Sequence, residues 1–307
     1  MSTTRWKDNS KSNINEILNL LVDAIPDDND GSSSVCRKNW KIAKCFQNNL
    51  FFSFLDSTIE FNMIKFSYDK VTIGVEDNIV PQNGFIVVYR FGNSVYYIIN
   101  KKTDNKVILR KMLSYSGRNE LGDGSIKFDS DFFLWLINRI YYANNIIEVS
   151  DEESLEINAI KAFKGDTEDS QTKLSASGES VMNVISALSF FLESKQLKTV
   201  TIELSYRKHS KIEITIKSDA LDVDIKSYMG DYMSFDLEER KARLHLLVYL
   251  EIIPLLMQEY GTDKENDLWN NNHYLNFVGD VANTIADKIE QKKESIKNIG
   301  TNHKTDS

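Results

Sequence analysis

The sequence predicts an α+β fold built on antiparallel strands, and three observations carry that expectation. Between Leu155 and Lys226, runs of apolar residues alternate with polar ones at the period of a strand with one packed and one wet face. Inside that stretch, Val181, Val184, Ile185, Leu188, Phe191 and Leu192 recur at helical spacing, one stripe of a crossing helix. Beyond residue 237, long helical stripes replace the alternation. Together they predict a βαβββ unit, an antiparallel β-meander covered by an amphipathic helix. A mixed helical and β-rich part precedes it and C-terminal helices follow it. The expected division in chain order is 1–150 and 151–307, with a short acidic linker near 27–34.

From the start of the chain, Ile14, Ile17, Leu18, Leu21 and Val22 predict a helix over Asn13–Ala24 that stops at Pro26. Trp40, Ile42, Phe46, Phe51 and Phe54 predict a second helix over Arg37–Leu55. Strands follow at Thr58–Phe66, Val71–Val75, Gly84–Phe91 and Val95–Asn100, with a hairpin turn at Phe91–Gly92–Asn93. Val107–Tyr115 reads as a helix. So does Phe132–Tyr142, apolar nearly all round and capped by Ser130 or Asp131.

The meander then begins with Leu155–Phe163, its Leu155, Ile157 and Ala159 on one face, and continues into a polar loop over Lys164–Ser180. Val200, Ile202, Leu204 and Tyr206, then Ile212, Ile214 and Ile216, then Leu221, Val223 and Ile225 are the inward positions of three successive strands. Leu237–Tyr260 is helical with a kink at Pro254 and an end at Gly261. Trp269–Lys293 is the last helix, and the segment after Glu294 is polar and frayed.

Composition bounds the function. Hydrophobic residues are 41% and charged residues 27%, the balance of a folded soluble protein. Two cysteines, Cys36 and Cys45, make no disulfide framework and point to a reducing cytoplasm. Four scattered histidines cannot complete a structural zinc site with them. The first residues lack the apolar core of a signal peptide, and no apolar run is long enough to span a bilayer. The net charge of −8 is uneven: 18 Lys+Arg against 17 Asp+Glu over 1–150, and 19 against 28 over 151–307. The acidic second half is unsuited to non-specific DNA binding, which phosphate contacts dominate. Abundant Asn, Lys and Ile fit a low-GC bacterium or mobile element.

Four groups are candidate sites. Lys101, Lys102, Arg110, Lys111 and Arg118 form the densest basic cluster, a nucleic-acid contact if such a partner exists; a solvated helix face gives the same pattern. Asp166, Glu168 and Asp169 offer hard-cation ligands in the polar loop, and Ser175, Ser177 and Gly178 an anion-binding helix start; a solvated loop with a serine cap is the plainer reading. Asp222, Asp224 and Lys226, with Glu203 or Glu213 on neighbouring strands, resemble the metal-and-lysine set of restriction-type nucleases; an ordinary wet sheet face explains the same residues. His245 sits among leucines, where a satisfied core histidine is the ordinary case.

The leading expectation is a non-enzymatic interaction or regulatory protein of the cytoplasm, without cofactor, binding a protein or a nucleic acid. An accessory role such as phage defence is consistent with it. The alternative is a Mg²⁺-dependent nuclease using the Asp-x-Lys strand.

Overall fold

The computed structural model describes residues 2–24, 35–55, 57–72, 79–100, 104–117, 119–150, 152–167, 173–177, 192 and 194–302. The fold is α+β, with antiparallel strands and C-terminal helices. Two compact units form, each from two stretches of chain: Met1–Lys127 with Asp219–Ile253, and Phe128–Ser218 with Pro254–Ser307. The division in chain order near residue 150 does not coincide with them.

In the first unit the strands lie in the order β13 (Ala220–Val223), β1 (Thr3–Asp8), β6 (Ser94–Asn100), β5 (Ile79–Phe91), β4 (Ser57–Thr72) and β2 (Val35–Lys44). β3 (Leu50–Phe54) also pairs with β4, and β7 (Leu121–Asp123) with β1. Every pairing is antiparallel. Strands alternate their side chains between two faces, and both faces of this sheet are used. Ile64, Phe66, Tyr68, Ile86, Val88, Tyr97 and Ile99 pack against α1 (Ile14–Val22) and α2 (Asn105–Met112). On the other face lies α4 (Leu237–Leu247), whose Arg243 donates to the Phe51 carbonyl (3.0 Å) and sits over the Phe61 ring.

The region 37–55, expected as a helix, is strand. Lys41, Ile42 and Ala43 pair with Ser67, Phe66 and Lys65 of β4, and Leu50–Phe54 forms β3. A long-range partner outweighs a local periodicity that fits either structure. Val71 likewise does not open a separate strand: β4 runs on to Thr72, and the rest of the strand expected over Val71–Val75 lies outside the described residues.

A buried carboxylate ties this unit together. Asp8 accepts from the Tyr97 hydroxyl (2.5 Å) and the Tyr115 hydroxyl (2.6 Å), and from the backbone N–H groups of Ser10 (2.8 Å) and Lys11 (2.7 Å). β1, β6, the segment after α2 and the approach to α1 therefore converge on one residue. Asn13 then caps α1 by accepting from the N–H groups of Asn15 and Glu16.

The second unit carries β10 (Lys173–Ser177), β9 (Glu153–Thr167), β11 (Ser194–Tyr206) and β12 (His209–Lys217) in that order, with β8 (Ile146–Ser150) also on β9. Val200, Ile202, Leu204, Tyr206, Ile212, Ile214 and Ile216 are all buried, so the alternation assigned their faces correctly. β9 departs from simple alternation. Its register against β11 shifts between Ile157 and Ala159 and between Ile160 and Ala162, so the buried residues run Leu155, Ile157, Ile160, Phe163. Ala159 therefore leaves the inward face. The expected loop at 164–180 is shorter than its polarity suggests, because β9 continues to Thr167 and β10 folds back on it. Of the helix expected over Val181–Leu192 all but Leu192 lies outside the described residues, as does the linker at 27–34.

α3 (Ser130–Tyr141) packs on β9 and β11 through a buried face of Phe132, Phe133, Leu136 and Ile137. Its cap is Asp129, one residue before the expected pair. Asp131 instead accepts from Tyr260 (2.5 Å), Lys264 (3.1 Å) and Trp269 (3.0 Å). Arg139, with 5% of its side chain exposed, donates from one nitrogen, Nη1, to both Glu259 (2.9 Å) and Asp263 (3.0 Å). It also donates to the carbonyls of Asn144 and Ile146. These bonds join α3 to α5 (Ile253–Glu265). α5 runs through Gly261, which does not end it. A π-turn over Val248–Ile252 stands between α4 and α5, where Pro254 removes an N–H donor. The last helix, α6, spans Asn271–Asn302.

Two substitutions test this packing. Ile214→Asp places an unpaired charge at a fully buried position and should abolish cooperative unfolding of the second unit, as followed by near-ultraviolet circular dichroism. Arg139→Ala leaves Glu259 and two carbonyls without this donor and Asp263 with Trp135 alone, and should cost about 3 kcal/mol in urea unfolding. Arg139→Lys should restore less than half of that, because a single ammonium cannot reach the carboxylates and the two carbonyls together.

Candidate functional site

The structure separates most of the residues singled out above. Lys101, Lys102 and Arg118 lie outside the described residues. Arg110 and Lys111 occupy the last turn of α2, where cations favour the helix dipole, and Arg110 donates to the Gly117 carbonyl. Glu168, Asp169 and Gly178 also lie outside the described residues. Asp166 is a strand residue of β9 ion-paired with Lys198. Ser175 and Ser177 are strand positions of β10 facing Lys164 and Ala162, not the start of a helix.

The Asp-x-Lys set is likewise divided. Glu203 and Glu213 are register partners on β11 and β12 in the second unit. Lys161 and Lys211 each approach the Glu203 carboxylate at 3.1 Å. Partial burial raises that carboxyl's pKa, but its bonds to the two lysines hold it below the usual range. Asp222 belongs to β13 in the first unit, and the strand ends at Val223. The chain turns there because Asp224 accepts from the backbone N–H of Lys226 at 2.9 Å. Asp224 and Lys226 are therefore turn residues rather than strand partners. Among the described residues, no group of three or more His, Cys, Asp or Glu is placed to hold a metal.

What Asp224 and Lys226 do share is a cavity of about 760 Å³, contained in the first unit. Register builds one wall. The antiparallel triads Lys41–Ser67–Asn83 and Ala43–Lys65–Phe85 lie across β2, β4 and β5. Their neighbours Ile42 and Phe66 belong to the opposite core, so alternation turns Lys41, Ala43, Lys65, Ser67 and Phe85 toward the α4 side. Asn100 of β6 adds to this wall, its side-chain oxygen accepting from the Phe85 N–H at 2.6 Å. The other wall is α4, which presents Leu237, Lys241 and His245 at four-residue intervals on one stripe. Val223, Asp224, Ile225 and Lys226 close one side.

The lining combines an apolar floor with a cationic rim. Four lysines, Lys41, Lys65, Lys226 and Lys241, meet the single carboxylate Asp224. Glu238, one residue after Leu237, bridges Lys65 (2.6 Å) and Lys241 (3.3 Å). The bond to Glu238 raises the Lys65 pKa despite partial burial, so this ammonium is charged at neutral pH. Lys241 also sits over the Phe85 ring at 5.4 Å, and the His245 ring packs edge-on to the same ring at 5.1 Å.

His245 is a buried, neutral residue. Its Nδ1 lies 2.7 Å from the Lys241 carbonyl, which can only accept, so Nδ1 carries the proton. Burial pushes its pKa down to about 4 against a smaller upward effect of that bond. Close by in sequence to Ala43, Cys45 has its thiol pKa pushed up by burial, which makes it a weak nucleophile at neutral pH.

The sequence signal for this cavity was present but divided. Leu237, Lys241 and His245 form a mixed stripe on a helix whose first two turns are otherwise mostly charged. Lys65 interrupts a β4 face that is apolar at Phe61 and Met63. Only the register of β2, β4 and β5 joins the two signals. Neither a protein-family model nor a curated protein matches the chain.

The histidine makes a pH prediction. Unfolded, its imidazole takes up a proton near its ordinary value of 6.5; folded, it resists until about 4. The unfolded state therefore binds more protons as pH falls through that window, and stability declines. Between pH 7 and pH 5 this single group should remove about 2 kcal/mol. His245→Gln should flatten the loss by that amount in urea titrations at the two pH values. An unchanged slope would contradict the buried neutral ring.

Proposed function

We propose that the chain is a non-enzymatic binding protein with a regulatory role, and that its ligand is a small molecule received by the cavity of the first unit. One observation carries the reading. A cavity of about 760 Å³ falls within the range of sites that enclose drug-sized molecules, roughly 300–1,000 Å³. Its chemistry supports binding over turnover. The polar groups at its walls are ammonium, amide and hydroxyl groups and the buried, neutral His245 imidazole, with one carboxylate already bonded to the backbone of its own turn. The free thiols Cys36 and Cys45 suit a reducing, cytoplasmic setting for such a protein.

A plug tests the reading. Ala43 lies on the cavity wall of edge strand β2 and is exposed, so Ala43→Trp can fill the space without disturbing either core. A panel of small organic anions and neutral apolar compounds, screened by thermal unfolding of the full chain, should contain members that raise the midpoint. The rise expected at a hundredfold excess over Kd is roughly 5 °C. The same compounds should leave Ala43→Trp unmoved. Equal shifts in the two proteins would place binding elsewhere.

A further inference from the structure

The distribution of charge around the cavity narrows the ligand's chemistry. Lys65 and Lys241 share one counter-ion, Glu238, which bridges β4 and α4 and offsets one of their two charges. Lys41 and Lys226 differ. Both are exposed at the rim, and neither side chain makes an ion pair among the described residues. An anion entering the cavity therefore meets two available ammonium groups and two more held by a displaceable carboxylate.

The apolar surface discriminates as well. The Phe85 ring is engaged within the protein, by the Lys241 ammonium over it and the His245 ring at its edge, so it leaves little platform for a flat aromatic ligand. What remains on the floor is aliphatic: Ala43, Val223, Ile225 and Leu237. Leu237 is 56% exposed at the mouth, a large apolar side chain left in water by the protein itself.

We infer that the cavity binds an organic anion with an aliphatic body, its carboxylate or phosphate held at the rim by Lys41 and Lys226 and its chain lying on Val223, Ile225 and Leu237. The inference rests on the cavity being the binding site. Glu238 then competes with the ligand's head group for the neighbouring lysines and sets how tightly anions are held.

Isothermal titration of the full chain with octanoate, octyl phosphate, octan-1-ol and inorganic phosphate tests it. The two amphiphilic anions should bind at least about tenfold more tightly than octan-1-ol, the scale of one charge-assisted contact. Whichever of the two binds more tightly identifies the head group. The Lys41→Gln/Lys226→Gln double variant should lose that advantage and keep octan-1-ol binding. Glu238→Gln should increase anion affinity several-fold, because it frees two ammonium groups. Equal affinity for octanoate, octyl phosphate and octan-1-ol, or an unaltered anion preference in the double variant, overturns the assignment of the lysines while leaving the cavity as a site. Inorganic phosphate binding as tightly as octyl phosphate overturns the aliphatic body. Failure of all four probes to bind removes the cavity reading itself.

Discussion

A β-strand shows its side chains to two sides, and the first unit is arranged around that constraint at β4. Its even-numbered residues Ile64, Phe66 and Tyr68 are sealed under α1 and α2. Its odd-numbered residues run Phe61, Met63, Lys65, Ser67 toward the side of α4, passing from apolar to polar along one face. Where that face is apolar, the sheet and its helix close into a core. Where it turns cationic and small, they leave a cavity. The same strand therefore supplies both stability and a site, and a shift of one residue in its pairing would exchange the two.

One buried charged residue in each unit, Asp8 in the first and Arg139 in the second, is given more partners than a single contact requires. Asp8 takes two hydroxyls and two backbone donors. Arg139 gives Nη1 to two carboxylates and its Nε and Nη2 to carbonyls. Burial of a lone charge is costly, and only near-complete satisfaction offsets it. The two hydroxyls on Asp8 come from segments distant in sequence, so the network depends on the fold that it helps to fix. Tyr249 behaves similarly, donating to the Thr3 carbonyl at 2.9 Å and so attaching the π-turn to β1.

Local pattern and long-range pairing were unequally legible in the sequence. The alternation at Val200–Tyr206 and Ile212–Ile216 needs only its own residues, and the structure buries every apolar member. The Arg37–Leu55 segment is different. Asn39 adopts a left-handed backbone (φ 56°), and the register against β4 shifts between Lys38 and Lys41. That bulge interrupts the alternation, and β2 ends at Lys44, so the helix-like step from Ile42 to Phe46 crosses from the strand into its connection to β3. β9 was blurred in the same way by its own register shifts. The cavity was the least legible feature, because its lining comes from five strands, a turn and a helix. Of the residues singled out as candidate site ligands, Asp224 and Lys226 reach it, in a role set by the turn that ends β13. His245 also lines it and is buried, as its leucine neighbours implied.

A space of this size beside a well-packed sheet needs a reason to stay open, since interiors otherwise pack close to crystal density. Gly84 shows how the opposite face is filled. The Phe66 ring lies where a Cβ on Gly84 would stand, within 2.2 Å of that position, so the missing side chain is replaced by an aromatic cover. On the cavity side the corresponding positions carry Lys41, Lys65, Lys226 and Lys241. Closing the gap would crowd four ammonium groups around one bridging glutamate and strip them of water. Their mutual repulsion and hydration oppose collapse more strongly than the modest aliphatic floor favours it. The charges that hold the walls apart are then the same ones that an entering anion would neutralise.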